Sequence, residues 1–135
     1  MAKVIHVVSN PVDVVLLGDH AEHLTNGKYG VRAMYPVSSY TDAKKLLEAH
    51  LPEEGRLVLV TDTHTFKEGV GRVDVSDLMR LARKKGGSVV LFYGGRVTDE
   101  HIGLANHDVL KTSHNLGCPD TYHKQVLAPV LAEVA

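Results

Sequence analysis

Three consecutive residues carry the most obvious chemistry in this chain. Asp62-Thr63-His64 sets a carboxylate and an imidazole two apart, directly after the apolar run Leu57-Val58-Leu59-Val60. Such a pair at the mouth of a strand serves as metal ligands or as the acid and base of a small hydrolase or phosphotransferase. Two ligands do not complete a metal site, and the other histidines add little. His20 and His23, and the set His114, Cys118 and His123, have gaps loosely like metal spacing, but they match neither H-E-x-x-H nor paired C-x-x-C. Solvated or capping roles are expected for them, and no metal or cofactor is expected. His6, inside an apolar run, reads as a hydrogen-bonded core group. Gly69-Val70-Gly71 is too short to cradle a phosphate, and neither a P-loop nor G-x-S-x-G occurs.

The elements that must position these residues alternate. Lys3 to Val8 is a β-branched run, and Asn10-Pro11 after it is a helix start, with Asn as cap and Pro at the first helical position. Val14, Val15, Leu17, Ala21 and Leu24 then follow a 3.6-residue period up to Asn26-Gly27. A hairpin strand over Val12 to Leu17 is the rival reading. Val31 to Val37 is a second strand, assigned to an edge because Pro36 cannot donate to a ladder. Thr41 caps a helix with Ala43, Leu46, Leu47 and Leu51 inward, ended by Pro52. Leu57 to Val60, closed by Thr61-Asp62, is a central strand. After a loop through Gly69 and Gly71, Asp74 caps a helix with Val75, Leu78, Met79 and Ala82 inward. It ends in Arg83, Lys84 and Lys85, a solvated basic terminus before Gly86-Gly87. Ser88 to Tyr93 is a fourth strand, Thr98 to Asn106 a short helix, and Asp108 to Lys111 a fifth strand. A last helix is capped by Asp120, carries Val126, Leu127, Val130, Leu131 and Val134, and is kinked by Pro129.

Strands alternating with helices predict one α/β domain over residues 1–135, a doubly wound, flavodoxin-like parallel sheet of five strands in the order 2-1-3-4-5. Ligands in such sheets gather beyond the carboxyl ends of the strands, where the order reverses. That rule selects Ser9, Asn10, Asp62, Tyr93, Gly94 and Lys111.

At these residues the chain resembles the receiver domains of response regulators. Leu57 to Asp62 resembles the strand that ends in their phosphoaccepting aspartate. Val109-Leu110-Lys111-Thr112 resembles the fifth strand with its lysine, with Thr112 where proline is usual. The acidic pair that holds Mg²⁺ after the first strand is matched only by Ser9 and Asn10. The hydroxyl residue after the fourth is matched by Tyr93 or Gly94. The resemblance therefore implies a degenerate or pseudo-receiver with poor affinity for Mg²⁺, a signalling module that acts through a protein partner. The same residues also fit an architectural role, with Asp62 capping a loop and Lys111 a solvated strand end. Ser9-Asn10-Pro11-Val12-Asp13-Val14 looks like a segment of lactate and malate dehydrogenases, but no G-x-G-x-x-G precedes it. A flavin-binding role is disfavoured, because the same loop offers little of the hydroxyl-rich cradle a flavin phosphate needs.

Composition narrows the partners. A formal net charge of -1 at pH 7 gives no basic footprint for nucleic acid. The N-terminal run Val4 to Val8 is too short for a secretory or membrane-spanning segment. Cys118 is the only cysteine, which suits a reducing cytoplasm. The expected partner is a protein, with self-association left open, and neither nucleic acid nor membrane.

Overall fold

Parallel strands covered on both faces need apolar residues on both sides, and three segments meet that demand. A computed structural model describes residues 1–134, with side chains through Glu133. In it β1 (Ala2–Val7), β3 (Arg56–Thr61) and β6 (Ser88–Tyr93) are buried almost throughout. They are flanked by β2 (Val31–Val37) and β7 (His107–Leu110) in one parallel sheet of order β2-β1-β3-β6-β7. This is the order read from the sequence, and Pro36 lies on an edge strand as expected. Val7, Leu59, Val60, Val90 and Leu91, all expected at the centre, are fully buried.

The two-residue period of the strands divides the interior into two cores. Val4, Val8, Val58, Val60, Val90 and Phe92 pack on Leu17 and Leu24 of α1 (Pro11–Leu24) and on Tyr122, Val126, Leu127 and Val130 near the C-terminus. Ile5, Val7, Leu57, Leu59, Val89 and Leu91 meet Ala43 and Leu47 of α2 (Tyr40–Ala49) and Leu78, Met79 and Ala82 of α3 (Ser76–Lys84). Asn10 caps α1 by accepting from the Val12 amide at 3.0 Å, so Val12 to Leu17 is helix and not a hairpin strand. Val15, expected to face inward, is exposed, and His20 takes an inward position.

The loop expected after β3 contains a second sheet. β4 (His64–Lys67) and β5 (Gly71–Asp74) form an antiparallel hairpin across Glu68-Gly69-Val70, with Gly69 and Gly71 at positive φ. Thr65 fastens it to the main sheet, its hydroxyl 2.9 Å from the Val8 carbonyl and 3.0 Å from that of Ser38. Asp74 is one residue too early to be the helix cap, yet its carboxylate still accepts from the Ser76 amide at 2.7 Å. The short helix read over Thr98 to Asn106 is α4 (Asp99–Leu104), with Thr98 as its cap.

The end of the chain is more broken than a single kinked helix. α5 (Ser113–Gly117), capped by Thr112, precedes α6 (Pro119–Tyr122), whose cap position is Cys118, with Asp120 in its first turn. A π-helical turn over His123–Leu127 leads into α7 (Ala128–Leu131). The wide turn contains Gln125, whose carbonyl the ring of Pro129 would otherwise crowd. Among the described residues, no helix is long and apolar enough to cross a membrane.

Buried histidines mark the interior. His6 is hydrogen-bonded through Nδ1 to the Tyr122 hydroxyl at 2.6 Å, the core role expected of it. His20, expected to be solvated or capping, is instead buried with its ring 6.0 Å from that of Tyr122. His6, His20, His50 and His123 are all held below the ordinary histidine value of 6.5, chiefly by burial. The unfolded chain takes up these protons at pH 6.5 and below, whereas the folded chain resists them. Stability should therefore be complete above that value and fall as the pH drops from 6.5 towards the folded-state values. Urea unfolding from pH 7.5 to 5 is expected to show this loss, at no more than about 1.4 kcal/mol per pH unit for each histidine. In His6→Asn the slope should be shallower.

Candidate functional site

The carboxyl ends of β1, β3, β6 and β7 open on a cleft of about 560 Å³. Its lining includes Ser9, Asn10, Asp13, Asp62, Thr63, His64, Gly94 and Lys111, so every strand-end candidate read from the sequence except Tyr93 shares it. Tyr93 is half-buried in the core beside α3, and its carbonyl accepts from the Lys111 amide at 2.7 Å. That bond sets the direction in which the lysine leaves the sheet.

Lys111 Nζ lies 3.3 Å from Asp62 Oδ2 and 3.5 Å from Asp13 Oδ2, and all three side chains are mostly buried. Asp13 lines the cleft but was not among the residues that the sequence singled out. It stands one turn beyond the Asn10 cap, which aims its carboxylate back over the sheet end. A first-turn acidic residue following strand one was the available signal. The other Asp62 oxygen accepts from the Thr63 amide at 2.7 Å. Asn10 contributes its carbonyl oxygen to the helix cap. His64 Nδ1 is 3.0 Å from the Thr63 hydroxyl. At Gly94 a Cβ would come within 3.3 Å of Lys111 Cε, so glycine there leaves room for the lysine to reach both acids.

Mg²⁺ is held in near-octahedral geometry by one or two carboxylates and waters, and here Asp13 and Asp62, the two carboxylates of the cleft, are both paired with the Lys111 ammonium group. Among the described residues, no group of three or more His, Cys, Asp and Glu side chains is placed to hold a metal ion.

No family model and no curated protein matches the chain. Two solved structures are similar in fold. A 3-dehydroquinate dehydratase-like protein from Bifidobacterium longum has a TM-score of 0.61 at 11% identity, over 100% of this chain and 99% of that one. RcsB from Salmonella enterica serovar Typhimurium, solved bound to promoter rprA in the presence of phosphomimetic BeF3-, has a TM-score of 0.50 at 21% identity, over 98% of this chain and 72% of that one. The fold is therefore receiver-like, within the wider flavodoxin-like class. At these identities the likeness is one of fold and carries no activity across.

Removing the shared cation should leave two carboxylates facing each other. Lys111→Met is expected to cost about 2–3 kcal/mol in urea unfolding, and adding Asp13→Asn should recover part of that loss. With Mg²⁺ up to about 10 mM, the Asp62 and Thr63 amide shifts should not saturate in the wild type but should do so in Lys111→Met.

Proposed function

We propose that this protein is a non-enzymatic regulatory module of receiver-like fold, with a degenerate phosphoacceptor site, that acts by binding a protein partner. The observation that carries the reading is the position of Lys111 Nζ between Asp62 and Asp13. A carboxylate that attacks a phosphoryl group gathers negative charge and needs a cation free to neutralise it. Here the nearest cation is already shared between two acids. Gly94 adds support, since it lines the cleft with no hydroxyl to offer. Ile102 and Leu110, on the last two βα units, are large exposed apolar side chains, which suits a contact surface there.

The enzymatic alternative would use Asp62 and His64. Both line the cleft, but Asp62 is turned to Lys111 and the Thr63 amide, while His64 is turned to the Thr63 hydroxyl. Incubation with acetyl phosphate and Mg²⁺, followed by intact-mass spectrometry, is expected to leave Asp62 unmodified, and Asp62→Asn should retain partner binding. A stable phosphoryl adduct on Asp62 that moves the Gly94 and Lys111 amide resonances would overturn the degenerate reading.

A further inference from the structure

Four of the six arginines are engaged by the protein itself. Arg32 and Arg56 donate to the carbonyls of Glu54 and Leu131, Arg80 pairs with Asp77 and Glu100, and Arg83 donates to Leu104 and Asn106. The remaining two, Arg72 and Arg96, have no hydrogen-bond or ion-pair partner among the described residues, and both line the cleft. They reach it from separate elements, Arg72 from β5 of the hairpin and Arg96 from the segment after Gly94-Gly95.

The acids of the cleft do not account for them. Asp13 and Asp62 are taken by Lys111, so the arginines leave an excess of one positive charge, three cations against two carboxylates, on a chain whose net charge is -1. From this we infer that the cleft binds a small phosphate monoester non-covalently, with Arg72 and Arg96 as its phosphate-binding pair. One guanidinium fork satisfies a carboxylate, whereas two forks from different elements match the several oxygens and double charge of a phosphate. A volume of about 560 Å³ suits a small metabolite. The carboxylates below can accept hydroxyl donors from the other end of such a molecule. The inference goes beyond the regulatory reading and does not depend on whether Asp62 accepts a phosphoryl group.

The test is a titration of the full chain with inorganic phosphate and with glycerol phosphate, followed by amide NMR at ionic strength fixed with chloride. Saturable shifts are expected at Arg72, Gly94, Gly95 and Arg96, and either Arg72→Gln or Arg96→Gln should weaken binding by at least about tenfold. Both side chains are exposed, so the variants should keep the wild-type fold, which their amide spectra will report. Shifts that do not saturate, or that survive unchanged in both variants, would overturn the site. Equally tight binding of succinate would overturn its assignment to phosphate. An Asp62 adduct with acetyl phosphate bears on the regulatory reading alone.

Discussion

One ammonium group governs the carboxyl end of this sheet. Lys111 Nζ faces two carboxylates that arrive from different directions, Asp62 from the end of β3 and Asp13 from the first turn of α1. Two like charges so close in a poorly hydrated place would repel, and the lysine converts that repulsion into attraction between three elements. Several neighbouring features follow from the need to deliver it. The Tyr93 carbonyl holds its backbone, Gly94 clears its path, and the Phe92 ring lies 5.9 Å beneath its charge. The same charge reaches inward, where it joins burial in keeping the His6 imidazole neutral.

The hairpin builds one wall of the cleft, and it is tied down at both ends. Thr65 binds it to the ends of β1 and β2, while Asp74 Oδ2 lies 2.7 Å from Nε2 of the buried His101. Partial burial pushes the Asp74 carboxyl up, but hydrogen bonds from Ser76 and the neighbouring His101 outweigh it and hold the group below its ordinary value. His101 Nδ1 in turn lies 2.8 Å from the Thr98 hydroxyl that caps α4. The hairpin, α3 and α4 are thus joined through one carboxylate. Arg72 reaches the cleft from a braced element.

Much of the fold was legible because buried parallel strands are written as apolar runs. Leu57 to Val60 and Ser88 to Tyr93 have no other use for so many β-branched and aliphatic residues, and Pro36 marks its strand as an edge. The hairpin was not legible in the same way. Its strands are four residues long, mix polar and apolar side chains, and surround two glycines, which reads as a loop. Its alternation becomes informative only when Thr65 is seen to be the buried member of β4. In the cleft, residues at strand ends could be chosen by rule, which found Asp62, Lys111 and Asn10. Asp13 could not be chosen that way, because its aim depends on the phase of a helix relative to the sheet. The arginines stood out only once the partners of the other four were known.

The charges of the cleft divide the work between two layers. The inner layer, Lys111 with Asp13 and Asp62, is mostly withdrawn from solvent and balanced within itself but for one negative charge. Opening it costs the pairing of both acids at once, which favours a fixed arrangement over one that exchanges partners. The outer layer, Arg72 and Arg96, is exposed and has no protein acceptor among the described residues, so it can meet an incoming anion without breaking any bond. Lys111 and Asp62 hold the sheet end together in this chain, and in the inferred site an anion would be met further out, by residues on the hairpin and on the segment after β6.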